Sequence, residues 1–429
     1  MVMNLPDSVK HRLFIIAAVV AMMWHTATAS AGDTLTGIFD DSFRTLTVCV
    51  DGDRLAPPVI TLGSSDRLVI GFDQLSDERQ YLRYTIVHCN ADWQPSDLTD
   101  SEVFDDFNYA PVEDYEMSRG TTTHYVHYTI ELPNSEYQFR LSGNYLLKVY
   151  PEDDPENTLL QVRFMVNENT VAVGGTATSR TDIGFNDTYQ QLEIQVDPHN
   201  YPIRDPFNDL TIVVQQNYQP ATQRVLSHPF RTRQGRLFYE HTAQLIFPGG
   251  NEYRRMETVN NLYPGMGVDR IDFEPPYYHH YLKTDRERAR HDYRYDQTQH
   301  GRFFVREYNS DRSDTEADYV LVDFTLDQTP LTDADIFLEG DITYRKLDDS
   351  SKMNYDIATG RYSRTMLLKQ GAYNYRYVTV PRDGRDGSLN LIEGDKYETC
   401  NEYSVAVYYR APGERYDRLI GYSLIFSGR

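Results

Sequence analysis

The sequence has little of what most enzymes and membrane proteins display. Of its 429 residues, three are cysteines and two are tryptophans. After the N-terminal segment, no apolar run approaches the roughly 18 residues expected of a membrane-spanning helix. The G-x-S-x-G elbow, the P-loop and a strand-to-helix G-x-G-x-x-G turn are missing, and these are the usual marks of serine hydrolases and of nucleotide-binding enzymes. We therefore expect neither a catalytic site nor a direct insertion into the bilayer.

Positive charge is also scarce. The chain has 42 Lys and Arg residues against 64 Asp and Glu residues, which gives a formal net charge of −22 at pH 7. A protein this acidic is repelled by nucleic acids and by anionic membrane surfaces. We expect no nucleic-acid partner.

The three cysteines form an odd set: Cys49, Cys89 and Cys400. Cys49 and Cys89 fall in one predicted domain and could pair in an oxidising compartment. Cys49 lies within a strand, out of phase with its apolar neighbours, so alternation alone does not show whether the two thiols meet. The alternative is that both are buried free thiols.

Histidines near Cys89 do not have the spacing of a metal site. His88 and Cys89 are adjacent in a predicted strand and so point to opposite faces. His124 and His127 differ by an odd number of positions and are also divided between the faces. Neither pair fits the ligand spacings of zinc sites, so we expect no metal and no cofactor.

Residues 1–31 have the pattern of a secretory signal peptide. Lys10 and Arg12 supply the positive start, Leu13 to Trp24 the apolar middle, and Ala29 to Ala31 a small-residue cleavage site. The alternative is an N-terminal membrane anchor, but the apolar run is much shorter than the roughly 20 residues that a spanning helix needs. We expect cleavage and export across the inner membrane.

The remaining chain is rich in strand-forming residues, with 34 Tyr and 19 Phe. Short runs alternate between apolar and polar residues, as from Val126 to Leu132 and from Tyr403 to Tyr409, and turn residues separate them at the spacing typical of β-sandwiches. This predicts an all-β fold of tandem immunoglobulin-like or fibronectin-like sandwiches. Polar linkers place the predicted domains at 32–168, 169–313 and 314–429.

The most specific pattern lies between Tyr81 and Tyr150. It contains the runs His88 to Trp93, Pro95 to Leu98 and Ser142 to Tyr150, and related runs occur at Gly249 to Arg254 and at Val407 to Arg410. In these runs the chain resembles the plug protein of the bacterial type IX secretion system. The resemblance implies a periplasmic protein, monomeric within its complex, that binds a large outer-membrane β-barrel translocon and reversibly seals its periplasmic opening.

Eight residues in the matching runs are expected to bind the partner: Asn90, Asp92, Trp93, Asp97, Asn144, Asn251, Tyr253 and Arg254. Trp93 has two interpretations. It could cap the core of the first domain, as large aromatic residues commonly do, or it could project as an anchor for the partner.

The C-terminal domain suggests an alternative function. Phe337 to Asp341 and Gly371 to Tyr377 resemble the glycogen-binding family of β-sandwiches. That family stacks sugars on exposed aromatic rings, but Arg345 stands where its tryptophan is expected. Tyr344 could substitute, which would make the protein a non-catalytic periplasmic glycan binder. The fold could equally persist without the sugar platform.

Overall fold

The computed structural model describes residues 34–104, 107–384 and 386–428, so the predicted signal segment 1–31 lies outside the described residues. The fold is all-β and built of sandwiches, as the sequence predicts. The described residues also form two four-residue α-helices and three 3₁₀ turns, at Asp100–Val103, Ser313–Glu316, Pro220–Thr222, Ala243–Leu245 and Asp341–Thr343.

The first sandwich contains ten strands: β1 (Gly37–Ile38), β2 (Phe43–Val50), β3 (Val59–Thr61), β4 (Leu68–Gln74), β5 (Leu82–Cys89), β6 (Ala110–Pro111), β7 (Asp114–Met117), β8 (Val126–Leu132), β9 (Gly143–Pro151) and β10 (Leu160–Asn167). One sheet has the order β1-β10-β9-β5-β6, with β3 also paired to β10, and the other has the order β2-β4-β8-β7. In β8 every second residue is buried, which confirms the alternation seen in the sequence. Both sheets contribute side chains to one continuous core.

The next strands are β11 (Ala172–Thr178), β12 (Arg180–Thr181), β13 (Gly184–Phe185), β14 (Tyr189–Asp197), β15 (Leu210–Gln216), β16 (Arg224–Leu226), β17 (Arg231–Arg233), β18 (Arg236–Tyr239) and β19 (Ile246–Pro248). One sheet has the order β11-β14-β18-β17, with β19 also paired to β14. Strands β12 and β13 form a separate small hairpin.

The remaining strands are β20 (Arg254–Glu257), β21 (Val268–Glu274), β22 (Tyr277–Leu282), β23 (Asp285–Arg286), β24 (Phe303–Val305), β25 (Tyr319–Asp327), β26 (Ala334–Glu339), β27 (Asn354–Asp356), β28 (Arg361–Lys369), β29 (Gly371–Pro381), β30 (Glu402–Tyr409) and β31 (Arg418–Phe426). Strands β20-β29-β24, with β26 joined to β29, face the sheet β21-β22-β25-β28-β27, with β23 beside β25. These two sheets enclose a core of their own.

The last two strands do not join that third core. They complete the sheet β16-β15-β30-β31, where Tyr403, Val405, Val407 and Tyr409 pack into the middle core. This differs from the predicted division, which groups all of 314–429 together. Alternation along a strand tells which side chains are buried, but not which neighbour the strand pairs with.

We propose a division that follows the three cores: a first domain of 34–168, a middle domain of 169–250 completed by 397–428, and a third domain of 251–396 inserted between them. The core residues of the first domain lie between Phe43 and Val166. Lys396 donates its backbone N–H to the carbonyl of Gly250, so the two ends of the insertion meet.

A buried ion pair joins the first domain to the third. Lys369 Nζ lies 2.6 Å from Asp73 Oδ2, Tyr319 donates its hydroxyl to the same oxygen at 2.7 Å, and His127 Nδ1 lies 2.7 Å from Oδ1. Burial alone would raise the pKa of Asp73, but Lys369 and His127 outweigh it and hold that pKa below its ordinary value. The carboxylate therefore stays charged and ties the two domains together.

The middle and third domains are joined in a similar way. Arg302 pairs with Glu402, the first residue of β30, and its guanidinium lies 4.7 Å from the ring centre of Tyr218. Where the three domains meet there is a cavity of about 380 Å³, with residues of each domain in its wall, among them Trp93, Tyr218 and Tyr344. The sandwiches thus surround a common centre.

Candidate partner-binding surface

The loop 90–97, which the sequence singles out, joins the first domain to the middle domain. Arg410 donates from Nη2 to the side-chain oxygen of Asn90 at 2.7 Å. Asn144 donates from Nδ2 to the backbone carbonyl of Asn90 at 2.9 Å and accepts the hydroxyl of Tyr408 at 2.7 Å. The structure therefore brings Asn90 and Asn144 together, in a joint within the chain.

Two other predicted residues of this loop, Asp92 and Asp97, are exposed. Asp92 accepts the backbone N–H of Gln94 at 3.0 Å, which shapes the turn. Arg415 of the middle domain donates to the backbone carbonyl of Asp97 at 3.1 Å, so the carboxylate of Asp97 is not used in that contact. Both carboxylates are accessible to a partner.

Trp93 is buried, with 9% of its surface exposed. The guanidinium of Arg163 lies 4.4 Å from the centre of its ring, which is the geometry of a cation–π contact. Burial lowers the pKa of Arg163 to about 10. The indole lines the cavity between the domains. In this structure it is therefore neither part of the first core nor a projecting anchor.

Asn251, Tyr253 and Arg254 lie in the third domain, where they hold its internal structure together. Asn251 donates from Nδ2 to the carbonyl of Glu393 at 2.7 Å, and Arg254 pairs with the carboxylate of the same residue. Tyr253 donates its hydroxyl to Glu339 at 3.2 Å. Burial alone would raise the pKa of Glu393, yet the two arginines Arg254 and Arg288 lower it to about 2.

The residues considered for sugar binding, Tyr344 and Arg345, also make contacts within the chain. Tyr344 packs against the core of the first domain, and the backbone N–H of Leu46 donates to its hydroxyl at 3.3 Å. Arg345 is buried and pairs with Glu339 at 3.1 Å. The exposed ring that glycan binding requires is not formed at Tyr344, because this segment makes the contact between the third and first domains.

Cys49 and Cys89 are free thiols in this structure. Cys49 lies on β2 and Cys89 on β5, which belong to different sheets. Burial raises the pKa of Cys89 to about 12, which makes its thiol unreactive at neutral pH. Within the described residues, no three His, Cys, Asp or Glu side chains are grouped to hold a metal ion.

The first domain also displays a set of exposed rings that the sequence reasoning did not single out. We call this surface the aromatic patch; it consists of Arg79, Tyr81, Arg83, Phe107, Tyr109, Tyr115 and Met117. Phe107 is 72% exposed and Tyr81 is 65% exposed. Aromatic residues, arginine and methionine are the types enriched at protein–protein interfaces.

Part of the patch is held in place by the side chain of Asn108, which makes the hydrogen bonds to β5 that the backbone of a neighbouring strand would make. Asn108 accepts the backbone N–H of Ile86 and donates to its carbonyl, each at 3.0 Å. These two bonds fasten the segment to β5, so that Phe107 and Tyr109 are fixed on either side of the anchor with their rings 5.8 Å apart.

Arginines connect the rings. The guanidinium of Arg79 lies 4.8 Å from the ring centre of Tyr81 and 4.2 Å from that of Tyr115, and Arg83 lies 5.3 Å from that of Tyr109. Residues 79, 81 and 83 alternate by two, which places them on one side of an extended chain. That spacing is the signal by which the sequence could have revealed the patch.

The composition of this surface suits it to binding another protein. Its rings give a large contact area at low conformational cost, and its guanidinium groups can donate to a partner's carbonyl or carboxylate groups. The fold and the patch together define a multidomain, all-β binding protein. Among the described residues, no helix has the length and apolar character needed to cross a bilayer.

Comparison with known proteins agrees with this class. The sequence model of the type 9 secretion system plug protein, first domain, matches residues 43–168. A crystal structure of a hypothetical protein from Parabacteroides merdae is 41% identical, with a TM-score of 0.89, and the match covers 92% of this chain and 99% of that one. No curated protein sequence matches the chain.

Two other solved structures are only distantly similar. One is a Pseudomonas fluorescens alkylpurine DNA glycosylase bound to DNA with an abasic-site analogue, at 12% identity over 29% of this chain and 30% of that one. The other is the E. coli alpha-2-macroglobulin, at 10% identity over 92% of this chain and 23% of that one. Both have TM-scores of 0.16.

The chain belongs to the family of type IX secretion system plug proteins. Its role is therefore in type IX secretion, in association with the outer-membrane translocon and within the cell envelope. The family is a component of the secretion apparatus and is not known for catalysis.

Proposed function

We propose that this protein binds the periplasmic opening of the type IX outer-membrane translocon and seals it reversibly. The observation that carries the proposal is the aromatic patch, which lies within the domain that matches the plug family. The proposal includes a periplasmic location, one copy of the chain per complex, and a large β-barrel as the partner.

A seal has to keep its shape against a wide opening. The ion pairs Asp73–Lys369 and Arg302–Glu402 link the domains through side chains that are nearly inaccessible to water. Breaking such a pair leaves an uncompensated charge in a low-dielectric surrounding, which is costly. We infer that the three sandwiches bind as one body.

Reversibility requires that the interface be modest in strength. Exposed tyrosines and arginines at a polar rim give contacts that a competing protein can replace. A partner that engages the translocon when export begins would displace the plug by competing for the same opening.

The proposal is tested by capture of the translocon. The full chain, with an affinity tag, is produced in a bacterium that has a type IX system, and envelopes are solubilised in detergent. We expect a large outer-membrane barrel to co-purify in equimolar amount. The variant Tyr81→Ser/Phe107→Ser/Tyr109→Ser should capture much less barrel, whereas Phe230→Ser, which removes an exposed ring of the middle domain, should capture as much as the native protein.

A second measurement addresses sealing. Deletion of the gene should increase entry of a large antibiotic such as vancomycin, and the native protein, but not the triple patch variant, should restore the barrier. If the barrel is absent from the purified complex, or if permeability is unchanged by the deletion, the proposal is wrong.

A further inference from the structure

The cavity where the three domains meet is lined by apolar side chains that point away from the cores of their own domains. Met165 lies on β10 between the core residues Phe164 and Val166, so its side chain is on the opposite face. Val213 of the middle domain and Phe304 of the third lie in the same wall, outside the main core of their own domain. All three side chains are half-buried. Because the outer face of a sandwich strand is usually polar, an apolar outer face indicates that something other than water covers it.

The contact between domains supplies part of that cover. Met165 and Val213 pack beside a small apolar cluster between the first and middle domains that includes Ala406 and Tyr408. A cavity of about 380 Å³ nevertheless remains next to them, and small-molecule sites at domain interfaces have volumes of roughly 300–1,000 Å³. A buried water needs about two to four polar partners, which apolar side chains do not supply. An apolar occupant therefore suits this part of the wall better than water does.

The charged side chains of the wall are mostly basic, although the chain as a whole is acidic. Acidic residues outnumber basic ones by 64 to 42 in the sequence, whereas four arginines and two aspartates line the cavity: Arg54, Arg163, Arg302, Arg345, Asp314 and Asp341. Three of the arginines form ion pairs, Arg54 with Asp314, Arg345 with Asp341, and Arg302 with Glu402.

Arg163 is the arginine of the wall that is best suited to receive an anion. Its Nε donates to the backbone carbonyl of Thr34 at 2.7 Å, and its guanidinium lies over the ring of Trp93. Burial outweighs the interactions of this group and lowers the pKa of Arg163 to about 10, so its positive charge is poorly solvated. A carboxylate that entered the cavity would stabilise this charge through charge-assisted hydrogen bonds.

We propose that the cavity binds an amphipathic carboxylate of the size of a medium-chain fatty acid. Its apolar chain packs against Met165, Val213 and Phe304, and its carboxylate accepts hydrogen bonds from the guanidinium of Arg163. The inference goes beyond the proposed plug function and does not depend on it.

Such a ligand would contact all three domains at once. A molecule that binds only the assembled arrangement stabilises it, and the stabilisation grows with the concentration of the ligand. The melting temperature should therefore rise as the site fills.

The test uses decanoate, kept below the concentration at which it forms micelles, and the purified protein without any translocon. Isothermal titration calorimetry should show one saturable site, and the melting temperature should rise over the same concentration range. 1-Decanol, which has the same chain without a charge, should bind about tenfold more weakly, because it loses the charge-assisted hydrogen bonds.

Two variants locate the site. Val213→Trp places an indole in the cavity and should weaken decanoate binding by about tenfold or more. The matched control is Val225→Trp. Val225 pairs with Val213 on the neighbouring strand but is exposed to solvent, so this variant should bind as the native protein does. Arg163→Met should reduce decanoate binding to the level of decanol and leave decanol binding unchanged. Circular dichroism checks that each variant is folded.

The thiol of Cys49 gives a separate readout of position, because it lies in the wall and is half-buried. Decanoate should slow its labelling by iodoacetamide, measured by mass spectrometry of the digested protein. The proposal is overturned if the native protein shows no saturable binding, if Val213→Trp binds decanoate as tightly as the native protein, or if decanol binds as tightly as decanoate. None of these results bears on capture of the translocon, so the plug function stands or falls separately.

Discussion

Asp73 shows how single side chains decide the arrangement of the domains. It belongs to the first domain, yet its carboxylate oxygens are satisfied partly by Lys369 and Tyr319 of the third. A charge in such a place is tolerated only because its partners are present.

We predict that Lys369→Met destabilises the protein by about 3–5 kcal/mol, because a buried carboxylate loses its opposite charge. The double variant Asp73→Asn/Lys369→Met should regain most of that loss, since no net charge then remains at the joint. Denaturation in urea measures both. Equal destabilisation by the single and double variants would contradict the prediction.

Because His280 is buried, with its Nε2 3.1 Å from the side-chain oxygen of Asn261, we predict that the stability of the protein depends on pH. Burial lowers its pKa from 6.5 to about 4, so the folded protein resists protonation there. Because the unfolded chain binds the proton more readily, stability is lost as the pH falls below 6.5. Between pH 7 and pH 5 the loss from this residue should be about 2 kcal/mol.

Urea denaturation at the two pH values measures this loss. His280→Gln keeps a side-chain N–H for Asn261 but has no titrating group in this range, so its stability should change less between pH 7 and pH 5. A pH dependence equal to that of the native protein would argue against His280 as the cause.

The sequence singled out Asn90 and Asn144 without revealing the contacts that they make in the structure. The runs around Asn90 and Asn144 matched the plug family, and the structure uses them to fasten domains together. The spacing of residues along a chain predicts a loop and its turn residues. It does not show whether those residues stay exposed to solvent or are buried against another domain.

Among the elements, the segment 107–109, directly before β6, is the most informative. It presents Phe107 and Tyr109 outward while Asn108 replaces the hydrogen bonds of a strand. A single amide thus determines the shape of part of the aromatic patch.

We predict that Asn108→Ala lowers stability by about 1–3 kcal/mol, because the backbone N–H of Ile86 loses its acceptor. Hydrogen exchange at Ile86 should become faster. The matched control is Asn390→Ala, which alters an exposed amide and should change stability by less than about 0.5 kcal/mol. Unchanged exchange at Ile86 would contradict the assignment.

Strand prediction succeeded where one face is buried and failed where the partner is remote. Alternation identified β8 and the face of β30 that packs into the middle core. It could not show that β30 pairs with β15, nearly 200 positions earlier in the chain, because the period of two is the same for any neighbour. The aromatic patch was missed for a related reason: exposure depends on which sheet edge remains uncovered.

At the scale of the whole molecule, the proposed sealing function depends on the contacts that hold the domains together. We predict that Arg410→Ala/Asp417→Ala, which removes contacts to the loop 90–97, loosens the first domain from the middle one. Small-angle scattering should show a larger radius of gyration, and calorimetry should show separate transitions. Scattering identical to that of the native protein would mean that the remaining joints suffice.

The path of the chain has a consequence for its biogenesis. Strand β15 acquires its neighbour β30 only after more than 180 intervening residues have been made and delivered, and β31 comes later still. A nascent chain emerging from its N-terminus can complete the first sandwich early, whereas the middle one has to wait, with an open edge, for the final residues. Removal of β30 and β31 would leave the edge of β15 unpaired and prone to aggregation.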